Sequence, residues 1–148
     1  MKGIQVVNLN HVEGFQHGKD LYWYRPLLFG KNLFTFVGHV PPGGEMPAHG
    51  HADDEGNEMA LFMLEGELEI TCGNEKITVG AEEALLVPLG AAFGVKNNGS
   101  VTGSFLLSSY PPPAIESLDA LRQRVAARGA KTKSPSELKA MRQSGGTE

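Results

Sequence analysis

His49 and His51 stand one residue apart in the stretch GGEMPAHGHADDEGNEMALFMLEG, residues 43–66. In an extended strand residues i and i+2 project from the same face, so two imidazoles at this spacing can converge on one point. Pro41, Pro42 and Pro47, with Gly43 and Gly44, argue against a helix here, because proline removes backbone donors and holds its predecessor in extended or turn conformations. Past an Asp- and Glu-rich loop, Met59-Ala60-Leu61-Phe62-Met63-Leu64 is an apolar run of strand length closed by Glu65-Gly66. Glu58 stands at the mouth of that run. Two histidines and one carboxylate make a donor set suited to Fe(II), Mn(II), Ni(II) or Zn(II).

The elements that must position these groups are strands. Residues 4–9 (IQVVNL) read as a first strand, and the aromatic-rich segment 21–29, which carries Arg25, as the next. Further strands are expected at 33–40, 59–64, 67–72, 76–79, 84–87, 93–96 and 102–109, with Gly73-Asn74, Pro88-Leu89-Gly90 and Asn97-Asn98-Gly99 as turns. Short strands at such regular spacing predict an all-β jelly-roll barrel over residues 1–113. Residues 114–148 then form a helical C-terminal tail that is not a separate domain. A helix is expected over 114–128 with Gly129 as its stop, and a second from the Ser134-Pro135-Ser136-Glu137 start to about Gln143.

The stretch around the two histidines resembles the first motif of the cupin superfamily: Gly, five residues, His-x-His, three or four residues, Glu, six residues, Gly. Gly43, His49, His51 and Gly66 fit it. Counting back from Gly66 places Met59 at the acidic position, so Glu58 serves as ligand only if a bulge turns it inward. Glu55 reads as a loop charge. Residues 80–97 resemble the second motif through Pro88, Gly90 and Asn97, while Glu82 takes a glycine position and Phe93 that of the fourth ligand, a histidine.

The resemblance implies a cupin jelly-roll close to quercetin-dioxygenase-like small cupins. It implies a divalent metal, Fe(II) first and Mn, Ni or Zn as alternatives, held by His49, His51 and Glu58. It also implies a cavity lined by Phe93, Met59, Met63 and a substrate-facing Arg25, and pairing into a homodimer. A dioxygenase-type reaction on a small organic molecule follows, with a metal-free binding or sensing cupin and a metal-assisted lyase, isomerase or cyclase as alternatives. No catalytic residue is assigned. His39 reads as a core or rim histidine, and His11 and His17 as surface ones.

Length and charge bound the remaining choices. A chain of 148 residues carries one ordinary domain. No apolar run approaches the ~20 residues that cross a bilayer, and the start lacks the layout of a signal peptide, which predicts a cytoplasmic protein without membrane contact. Cys72 is the one cysteine and reads as a small half-buried residue. Residues 1–115 hold 6 Lys/Arg against 13 Asp/Glu, and residues 116–148 hold 7 against 4. An acidic body argues against nucleic acid as partner. The basic tail is expected to dock on the acidic body of its own or a second subunit.

Overall fold

A computed structural model of the chain describes residues 3–17, 19–49, 57–113, 115 and 117–143, with the backbone alone for 49 and 143. A 3-10 turn η1 (Leu9–His11) precedes β1 (Gly14–Gln16), β2 (Trp23–Phe29), β3 (Phe34–Val40), β4 (Glu45–His49), β5 (Glu58–Glu65) and β6 (Glu67–Cys72). Then come β7 (Glu75–Gly80), β8 (Ala84–Val87), β9 (Phe93–Lys96), β10 (Gly103–Tyr110), α1 (Leu118–Arg128), β11 (Thr132–Lys133) and α2 (Pro135–Gln143). The strands form two antiparallel sheets, ordered β11-β1-β2-β3-β10-β5-β8 and β4-β9-β6-β7. This is the all-β jelly-roll that the turn spacing predicts.

Strand alternation decides what enters the space between the sheets. Phe34 and Phe36 of β3, Phe105 and Leu107 of β10, and Met59, Leu61 and Met63 of β5 point inward, joined by Leu68, Ile70, Phe93 and Val95 of the smaller sheet. Two glycines make the packing possible. A Cβ on Gly38 would run into the Phe105 ring, and one on Gly66, held at φ 75°, would lie 2.6 Å from the Thr102 carbonyl oxygen. Buried Asn97 ties the barrel end together, its amide donating to the carbonyls of Val40 and Val101 at 2.8 Å each while its oxygen accepts from Gly99 N. The motif positions Gly66 and Asn97 thus serve the frame.

The outer face of the larger sheet carries a second buried layer. Val12, Trp23, Arg25, Val37, His39 and Leu138 are buried there, beneath η1 and α2. The α2 start is a reciprocal capping box: Ser134 Oγ accepts from Glu137 N at 3.1 Å and Glu137 Oε1 accepts from Ser134 N at 2.7 Å. Two ion pairs fix the tail to its own barrel, Arg122 to Glu13 and Arg142 to Glu65.

Two expectations about elements change. Residues 4–8 form no strand, and Ile4 and Val6 are exposed; the sheet edge next to β1 is taken by β11, a two-residue strand without a sequence signal. Asn8 instead caps η1, its side chain accepting from Asn10 N at 2.9 Å. The first helix starts at Leu118 rather than residue 114, because Ser117 Oγ accepts from Ala120 N at 3.1 Å and fixes the N-cap there.

Candidate functional site

A cavity of about 490 Å³ opens between the sheets. Its floor and walls are Tyr22, Tyr24, Phe34, Phe36, Phe93, Met46, Met59 and Leu107, and Pro111, Pro112 and Pro113 form part of its rim. The aromatic rings brace one another: Tyr24 lies 6.0 Å from Phe36 edge to face, and Phe34 lies 5.7 Å from Phe36. Polar groups are few, namely the two tyrosine hydroxyls, His17, Asn57 and Ser109. Asn57 Nδ2 donates to Ser109 Oγ at 3.2 Å and to the Pro111 carbonyl at 2.8 Å, which fixes the amide at the rim. Burial raises the Tyr22 and Tyr24 phenols above the ordinary tyrosine value, so both stay protonated and able to donate.

The residues singled out in the sequence fall in different places. Phe93 and Met59 line the cavity. Met63 lies deeper, buried in the core and outside the lining, as does Leu61. Arg25 is a correction: it sits on the opposite face of β2 from Tyr24, where Nε donates to the Val12 carbonyl at 3.0 Å and a terminal nitrogen to the Leu9 carbonyl at 2.6 Å. Burial, and next the Arg142 charge, pull its pKa down to about 10, so it stays a cation that holds η1, outside the cavity lining. Period-two alternation contained this result, since Tyr22 and Tyr24 share a face that Arg25 cannot share. His39 is fully buried on the same outer face, Nδ1 bonded to Ser104 Oγ at 2.8 Å and Nε2 without a partner.

The metal donor set divides as follows. Glu58 is exposed on the outward row of β5 with Ala60 and Phe62. The bulge that would turn it inward is not there: β5 runs in unbroken register with β10 from Glu58 opposite Tyr110 to Met63 opposite Phe105, and with β8 from Met59 to Phe62. The inward place belongs to Met59. His49 lies opposite Phe93 in the β4–β9 ladder, after a register shift that begins at Met46. The His49 side chain and the whole of His51, like Glu55, lie outside the described residues. Among the described residues, no three His, Cys, Asp or Glu side chains gather closely enough to hold a metal ion. At the two described positions where the family pattern sets ligands, a thioether and a phenyl ring stand instead; the ring offers no donor atom, and a lone thioether does not suit Fe(II) or Mn(II), which favour nitrogen and oxygen ligands.

Sequence reasoning missed most of the lining, including Tyr22, Tyr24, Phe34, Phe36, Asn57, Ser109 and the three prolines. The prolines gave a signal only for the end of the barrel, and Asn57 none. No helix among the described residues is long and apolar enough to cross a membrane.

Comparison with known proteins places this architecture. The chain is similar to the TT1209 protein of Thermus thermophilus, 23% identical with a TM-score of 0.61 over 74% of this chain and 100% of that one. It is similar to the polyketide cyclase RemF of Streptomyces resistomycificus, 21% identical with a TM-score of 0.65 over 78% and 86% of the two chains. KdgF from a Halomonas species is 17% identical with a TM-score of 0.62 over 76% and 97%. At these identities the likeness is one of fold. A search of curated proteins finds no match. The cupin domain family model matches residues 36–109, from β3 through β10, and with it the chain belongs to the cupin family.

Proposed function

We propose that this cupin binds a small, flat and largely apolar organic molecule in its barrel cavity. The observation that carries this reading is the lining itself. Phe93 and Met59 occupy places where the family pattern sets polar ligands, and Tyr22, Tyr24, Phe34 and Phe36 continue the apolar wall. Rings that pack on one another at 5.7–6.0 Å hold this wall rigid, and a rigid aromatic wall favours a planar guest over a flexible one of equal volume. The tyrosine hydroxyls, Asn57 and Ser109 fix its orientation. Calorimetric titration with planar aromatic compounds and with flexible aliphatic ones of matched size tests this. Planar compounds are expected to bind at least tenfold more tightly, about 1.4 kcal/mol. Ala91→Trp, which fills the cavity from its rim, is expected to abolish binding while the melting curve stays cooperative. Equal affinity for the two sets, or binding that survives Ala91→Trp, overturns the reading.

A second reading is metal-dependent chemistry on the same guest, of dioxygenase or of lyase, isomerase or cyclase type. One observation favours it: the His49 backbone pairs with Phe93, a residue of the cavity wall, and His51 follows two residues on. Metal analysis of the untagged protein separates the two. One divalent ion per chain, lost in both His49→Ala and His51→Ala and bound more tightly in Phe93→His, establishes the metal enzyme. Binding of planar guests by protein without metal, unchanged in the histidine variants, establishes the first reading.

A further inference from the structure

Beside the barrel cavity lies a second hollow of about 620 Å³, between the β1–β2 edge and the C-terminal end of α1. Lys19, Arg128 and Lys131 line it together with Val125, and its described lining residues include no carboxylate. His17 and Tyr24 stand in the walls of both hollows. The nearest carboxylate along the chain, Asp20, is held by His17 Nδ1 at 3.1 Å.

Of the tail's seven cations, Arg122 and Arg142 are paired with carboxylates, and the Lys133 ammonium sits 4.8 Å from the centre of the Trp23 ring. Arg124, Arg128, Lys131 and Lys139 have no ion-pair partner among the described residues; of these, Arg128 and Lys131 line the groove, and Lys19, likewise unpaired, joins them there. Three like charges around one concavity repel one another, and the acidic body leaves them unneutralised. The carbonyl end of α1 offsets about half a charge, and the NH groups of Gly129 and Ala130 already cap it. Set against the Asp20 carboxylate and the helix end, the three cations still leave the groove a net positive charge by count. Its field reaches Tyr24, whose phenol feels the Arg128 and Arg124 charges, second to the burial that raises its pKa.

We propose that this groove binds the carboxylate or phosphate group of the molecule whose apolar body occupies the barrel cavity, with Arg128, Lys131 and Lys19 around the acid and the Tyr24 hydroxyl at the junction. The ligand is then an amphipathic aromatic acid. This rests on the cavity reading above, and the two can fail separately.

The test uses the full chain and naphthyl carboxylates of increasing linker length, each beside its uncharged amide. At low salt one carboxylate of the series is expected to bind roughly tenfold more tightly than its amide, the size of effect that two or three solvent-screened charges supply. The advantage should shrink at high salt. Arg128→Gln/Lys131→Gln should erase it and leave the amide's affinity unchanged; both side chains are exposed, so the fold should be kept. Inorganic phosphate should compete with the carboxylate and not with the amide. Acid and amide binding equally, or an advantage that survives the double variant, overturns the proposal and leaves the cavity reading intact. Phosphate binding in the groove without any advantage for the acid identifies a free-anion site and also overturns it. If neither acid nor amide binds, the cavity reading fails and the proposal with it.

Discussion

At the residue scale, His39 is a buried imidazole that the barrel tolerates only without a second proton. Its Nε2 is buried without a partner, and Nδ1 meets Ser104 Oγ at 2.8 Å. An unpaired lone pair is less costly than an unpaired N–H, so the proton belongs on Nδ1, which donates to the serine. Burial first, and the Arg25 and Arg142 charges next, push the pKa down to about 3. The folded protein therefore refuses a proton that the unfolded chain accepts. Stability from this group is complete above the ordinary value of 6.5 and is lost as pH falls from there toward about 3. Within that window the loss is on the order of 1.4 kcal/mol per pH unit. Urea unfolding followed between neutral pH and about pH 5, above most carboxylate titrations, should show this slope. His39→Gln, which keeps a hydrogen bond to Ser104 and does not titrate, should flatten it. A slope unchanged in that variant would assign the acid sensitivity elsewhere.

At the element scale, α2 acts as a cover for the outer face of the larger sheet. Leu138 is fully buried over Gly14 and the stem of Arg25, and Thr102 Oγ1 donates to the Met141 carbonyl at 3.1 Å. Leu138→Ala should cost ~2–5 kcal/mol, the range for a buried leucine. Arg142→Gln, which breaks a half-exposed ion pair, should cost at most about 1 kcal/mol. Denaturant midpoints of the two variants measure that difference, and equal costs would mean that charge rather than packing holds the helix. The sequence announced this element through its cap residues and the central strands through their alternation. It gave less for β11, where two residues carry no period, and for the start of α1, where a single serine hydroxyl outweighs the helical pattern before it. The cavity was legible where period two was followed strictly. Tyr22 and Tyr24 go inward and Arg25 outward by that rule, and Met59 rather than Glu58 faces the cavity by the same rule. Glu82, in a place the family pattern gives to glycine, adopts the left-handed conformation a glycine would supply, at φ 69°. The backbone there follows the pattern although the residue does not.

At the scale of the whole molecule, charge and apolar surface point to different partners. The basic tail docks on its own acidic body through Arg122–Glu13 and Arg142–Glu65. What the chain leaves uncovered is apolar. Ile4 is 92% and Val6 90% exposed, in a segment with strand-forming residues and no strand partner among the described residues. Burying two such side chains is worth ~1.5–3 kcal/mol each, and in a two-fold dimer the gain is made twice. A second copy of the chain is the partner this suits, because a strand-like segment without a partner on one copy meets an identical one, or an open sheet edge, on the other. Light scattering at micromolar concentration is therefore expected to give twice the chain mass, in low and moderate salt alike, since the contact is apolar and is not screened. Ile4→Lys/Val6→Lys should give the single-chain mass with an unchanged melting profile of the barrel core. A wild-type monomer under both conditions, or a dimer that persists in the double-lysine variant, would place these two residues outside any subunit contact.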